Sequence, residues 1–86
     1  MRPSRLLKRL FSGAFNNVEF LDAQLLVGAL GFIELRVSGS HHIFVHPGIP
    51  NQLYLQNHHG QAKPYQLRQL IALVRRYNLT IEKGKE

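Results

Sequence analysis

The chain has 86 residues, no cysteine, 44% hydrophobic residues and a net charge of +6. That size and apolar content fit one small domain with its own core and exclude a mostly disordered chain. The missing cysteines exclude disulfides and thiolate metal sites, and a reducing, cytoplasmic setting fits them. No apolar run approaches the roughly 20 residues that span a bilayer. Lys8 and Arg9 interrupt the N-terminal apolar stretch, which argues against a secretory signal.

Residues 1–19 form a basic extension. Leu6, Leu7, Leu10 and Phe11 have helical spacing, so a short helix ending near Gly13 is expected. The spacing next predicts a helix from Asp22, whose carboxylate can accept the free N–H groups of the first turn. Leu21 and Leu26 have the spacing of a hydrophobic staple around it. Leu25, Leu26, Ala29 and Leu30 make the apolar face, and Gly31 supplies the left-handed residue that ends the helix.

Three strands follow. In 32–37, Ile33, Leu35 and Val37 alternate with Glu34 and Arg36. Ser38-Gly39-Ser40 reads as a hairpin turn. His41 to His46 is the second strand, stopped by Pro47, and residues 47–51 form a longer loop. Gln52 to Gln56 is the third strand. The apolar odd positions 33, 35, 37, 43, 45, 53 and 55 predict an antiparallel meander with one buried face. Arg36, His42, Phe44, His46, Tyr54 and Gln56 then lie on the other face. Pro64 opens a last helix, where Leu67, Leu70, Ile71 and Val74 face the core, Arg68 and Arg75 face outward, and Asn78 suits the end. Residues 80–86 are expected to fray. The fold class is α+β: a three-stranded antiparallel sheet with two helices on one face, plus an N-terminal helical element.

The charge is unevenly placed. Between Glu34 and Glu82 the chain carries Arg36, Lys63, Arg68, Arg75 and Arg76 and no acid. A field of that sign attracts polyanions. Three of the five histidines, His41, His42 and His46, fall in the second strand. Metal binding is poorly supported: His42 and His46 share a face but lie roughly 13 Å apart along a strand, and no acid stands nearby in sequence. RNA cleavage asks less of the protein. The ribose 2′-OH is the nucleophile, so a histidine base and positive charge or N–H donors at the phosphate suffice. A Ser-Gly-Ser turn brings backbone N–H groups close to a phosphate. The residues alone equally allow His41 and His42 to be polar side chains at the start of a strand.

G-F-I-E-L-R-V-S-G-S-H-H-I-F-V-H-P resembles the central motif of HicA-type toxins, and L-Y-L-Q-N with G-Q-A-K-P-Y-Q-L-R-Q-L-I resembles the second half of one branch of that family. The resemblance spans residues 20–79. It implies an α-β-β-β-α fold like that of double-stranded-RNA-binding domains. It also implies metal-independent mRNA cleavage without a cofactor, and a HicB-type antitoxin that covers the active site. The family's functional histidine maps onto His41, with Gly39 as its glycine. Two departures stand out: L-Y-L-Q-N-H-H replaces the common V-x-V-P-x-H, leaving His58 and His59 unassigned, and the N-terminal extension is long.

Strict alternation points His41 toward the core and His42 outward, against the resemblance. The resemblance decides for His41 as catalytic residue, with His42 second. Gly39, Ser40, His46, Lys63, Arg68 and Arg75 are the expected RNA contacts, and no residue is expected to bind metal or membrane. Two other functions remain open from the residues: a non-catalytic RNA-binding module on the same basic face, and a partner-binding protein using exposed Phe44 and Tyr54.

Overall fold

The computed structural model describes all residues from Met1 to Glu86. The elements are α1 (Pro3–Phe11), α2 (Phe20–Ala29), β1 (Ile33–Ser38), β2 (His41–His46), β3 (Ile49–His58), β4 (Gln61–Ala62) and α3 (Pro64–Tyr77). The strands form one antiparallel sheet in the order β1-β2-β3-β4. The expected α-β-β-β-α order and the extra N-terminal helix are present. The two-residue β4, added after a tight turn at His59-Gly60, is the difference in element count. No helix is long and apolar enough to cross a membrane.

The core lies between the sheet and its helices. Leu26, Val27 and Leu30 come down from the α2 region, Leu67, Leu70, Ile71 and Val74 from α3, and Phe44, Leu53 and Leu55 up from the sheet. Each such side chain contributes about 1.5–3 kcal/mol on burial. Leu6 and Leu10, one turn apart on α1, are 1% exposed. The extension is therefore docked on the domain through its apolar stripe, and its basic residues are left around the rim.

Three local expectations are corrected. Asp22 is not the cap of α2. Glu19 holds the cap position, three residues earlier, because residues 18–20 are held as an extended stub against β4: Ala62 N–H donates to Val18 C=O (2.9 Å), Phe20 N–H donates to Gly60 C=O (2.9 Å), and Glu19 bridges Gln61. Tertiary pairing sets the start of the helix. Asp22 sits in the first turn and accepts from the Met1 ammonium at 3.0 Å. Leu21 and Leu25 are exposed, so the expected staple and part of the expected apolar face are absent. Third, the segment expected to fray is tied down. Glu82 N–H donates to Ala29 C=O (2.7 Å), Ser4 N–H donates to Glu86 C=O (3.1 Å), and Ile81 packs on the core.

The larger correction concerns which way the strands face. Cross-strand partners share a face, and β2 pairs with β3 as His41–Gln56, His42–Leu55, Ile43–Tyr54 and Phe44–Leu53. Each pair joins an odd with an even residue, so the apolar odd positions of β3 share a face with the even positions of β2. Phe44, expected outside, is 3% exposed and in the core; its use as an exposed interface residue is overturned. Ile43 is covered but lies outside the main cluster. A register irregularity between Glu34 and Arg36 changes parity within β1, so that Ile33 pairs with Val45 on the outward face and Val37 with His42 on the inward one; Ile33, Leu35 and Val37 are nevertheless all exposed. The third strand is also longer than expected, beginning at Ile49 after only Pro47-Gly48.

Candidate active site

The β1–β2 connection has two residues, with Ser38 opposite His41. Gly39 takes φ +59° while Ser40 stays negative, the sign pattern of a type II′ hairpin turn. A side chain on Gly39 would meet nothing within 4 Å. Glycine is required there by conformation, and the outer side of the turn is open. The turn is anchored from behind: Asn57 N–H donates to Ser40 C=O at 2.8 Å.

His41 is the first residue of β2, exposed, with no side-chain hydrogen bond to the rest of the chain. Its cross-strand partners are Ser38 and Gln56, and the next row on the same face is Arg36, Ile43 and Tyr54. This face is the one away from the core. The structure thus reverses the alternation reading: His41 points out and His42 points in.

His42 packs its ring on Phe20, with centroids 4.6 Å apart. Its Nδ1 lies 3.0 Å from Glu34 Oε2, and Gln24 Nε2 donates to the same oxygen at 3.0 Å. The His42 hydrogen bond holds the Glu34 carboxyl below its ordinary value. Desolvation opposes this, and the Gln24 bond and the charge of His42 assist. A carboxylate accepting from Nδ1 keeps a proton on that nitrogen. Sequence reasoning missed Glu34 because the two residues are eight apart. The hairpin brings them together: Glu34 pairs with Phe44, the β2 residue two beyond His42 on the same face.

His46 is built into the fold. Gly48 N–H donates to its Nδ1 at 3.0 Å, and its Nε2 bonds Leu30 C=O at 3.2 Å. Its ring meets Phe32 edge-on. A Cβ on Gly31 would come within 2.9 Å of Nε2, and Gly31 has φ +96°. Both ring nitrogens are thus engaged within the chain, which leaves none for a substrate.

The basic residues divide. Lys63 precedes α3 at the His41 end of the sheet. That placement follows from Gln66, whose Oε1 accepts from Gln56 N–H at 2.6 Å, Gln56 being the partner of His41. Arg68 and Arg75 are turned toward the N-terminal segment, their guanidinium groups 5.1 Å from the Phe15 ring and 4.8 Å from the Phe11 ring. Both guanidinium groups are thus engaged with rings of the N-terminal segment. His58 and His59 meet edge-to-face at the β3–β4 turn, with ring centroids 4.5 Å apart. No three His, Asp or Glu side chains converge as a metal site.

A search of curated proteins and a search of solved structures each find no match. The family profile described as HicA toxin of bacterial toxin-antitoxin matches residues 23–74, more than half of the chain and the part that carries most of α2, the sheet and most of α3. The chain belongs to the HicA toxin family, the toxin side of a toxin–antitoxin system.

Proposed function

We propose that this toxin is a metal-independent endoribonuclease that cleaves mRNA, with His41 as its general base. The observation that carries the reading is the placement of His41: exposed, free of internal partners, and directly after an open glycine turn on a basic domain. Histidine is the side chain best suited to proton transfer at neutral pH. His41 takes the proton from a ribose 2′-OH. The 2′-oxygen forms a bond to phosphorus, the bond from phosphorus to the 5′-oxygen breaks, and that oxygen leaves with a proton taken from solvent water. Gly39 and Ser40 leave room for the phosphate, and Lys63 adds positive charge at the same end.

His42 supports this arrangement from the other side of the strand. Its bond to Glu34 fixes β2 against β1 next to the turn. The HicA family implies a cognate antitoxin, and a HicB-type protein covering the His41 turn is the expected inhibitor.

The test is cleavage of a long single-stranded RNA by purified protein with EDTA present, comparing wild type, His41→Ala and His42→Ala. Cutting that survives EDTA and is lost in His41→Ala is the expected result. Tight, salt-sensitive binding without cutting by any of the three would replace this reading with an RNA-binding module.

A further inference from the structure

Gln66 is the single buried polar residue, 4% exposed. Both ends of its amide are used. Oε1 accepts from Gln56 N–H at 2.6 Å, and Nε2 donates to the Tyr65 hydroxyl at 3.3 Å. A buried amide is costly unless satisfied, so this geometry is held firmly. Gln56 in turn faces His41 across β2 and β3, and its neighbour Asn57 bonds Ser40. A short chain of contacts therefore runs from the Gly39-Ser40 turn and His41 to the ring of Tyr65.

Tyr65 itself is 53% exposed. Its polar end is tied to Gln66, and Pro64 before it stiffens the start of α3. Its ring has no aromatic or cationic partner. In contrast, Phe11, Phe15 and Tyr77 are each covered by an arginine. Tyr54 is also exposed and lies one row from His41 on the same face, but its hydroxyl bonds only the exposed Gln52 on its own strand and is not tied to a buried group. An exposed aromatic ring fixed at its polar end, two residues after a lysine, suits one ligand chemistry. Unpaired bases of single-stranded RNA stack on such rings while cations hold the backbone.

We propose that Tyr65 stacks on a nucleobase next to the phosphate served by His41, and that Gln66 is the positioning residue that holds the ring there. The proposal deepens the ribonuclease reading and rests on it for the role of His41. Stacking accepts any base, so Tyr65 adds affinity and alignment rather than sequence choice.

The experiment uses a short single-stranded RNA carrying 2-aminopurine, with 2′-O-methyl riboses so that it cannot be cut. Wild type is expected to quench the fluorophore on binding. Tyr65→Ala should lose the quench and bind about tenfold more weakly. Tyr65→Phe keeps the ring but drops the tie to Gln66, and should fall between the two. On cleavable RNA, KM should rise in Tyr65→Ala with kcat within about twofold of wild type. Equal quench and equal KM for wild type and Tyr65→Ala would overturn the proposal. A Phe variant matching wild type would remove Gln66 from it, and one matching Ala would remove the stacking. If the uncuttable RNA is quenched as expected but wild type cuts nothing, the ribonuclease reading fails and the stacking site survives.

Discussion

His41 and His42 are neighbours in sequence and occupy two different chemical settings. The His41 end of the sheet is open, glycine-bounded and without an internal partner for the imidazole. The His42 corner is half-closed, with an aromatic ring beneath it and a carboxylate at Nδ1. The difference comes from the pleat alone, since successive residues of a strand face opposite ways. Two identical side chains thereby sit in separate surroundings: one has no partner within the chain, the other ties β1 to β2.

Three changes would break or sharpen that contrast. The largest effect is expected from His41→Ala. RNA cleavage should fall by about 100-fold or more with the melting temperature unchanged, measured by initial rates and thermal denaturation. His42→Ala should do the reverse. Loss of the Phe20 contact and of the Glu34 bond should cost about 1–2 kcal/mol in urea unfolding, with a smaller loss of cleavage than His41→Ala. If His42→Ala loses more activity than His41→Ala while still folded, the assignment of the two histidines is inverted.

The smallest effect belongs to Glu34→Gln and shows only in acid. The Glu34 carboxyl is held below its ordinary value of 4.5. Its contribution to stability is therefore present above that value and is lost as pH falls through the lower value of the folded protein. Gln at this position removes a group that binds more protons unfolded than folded. The slope of stability against pH below about 4.5 should flatten in Glu34→Gln relative to wild type. Identical acid limbs for the two proteins would show that the His42–Glu34 bond does not form in solution.

Much of this fold is legible in the sequence. Helical spacing marks α1 and α3, Pro64 and Asn78 bound the last helix, and Gly39 marks the hairpin. These signals are local, and local physics sets those features. What the sequence hides is the relative parity of the strands. Leu53 and Leu55 face inward as their alternation says, but β2 is out of step with them, because parity is reset at each turn and irregularity. Phe44 is in the core for that reason. Asp22 looks like a cap and is not one, since pairing of residues 18–20 with β4 outranks a side-chain cap. The Glu34 partner of His42 and the Gln66 strut behind His41 both depend on contacts between separate elements, which no local pattern encodes.

The irregularity between Glu34 and Arg36 has a consequence beyond the site. β1 is an outer strand, and its Ile33, Leu35 and Val37 side chains are exposed. A flat strand of that composition would template sheet growth from one molecule to the next. The extra residue breaks the even spacing of its outward-facing amide and carbonyl groups, so an incoming strand cannot zip along its length. The same irregularity, one residue beyond the Glu34 that bonds His42, thus works against aggregation along this apolar edge.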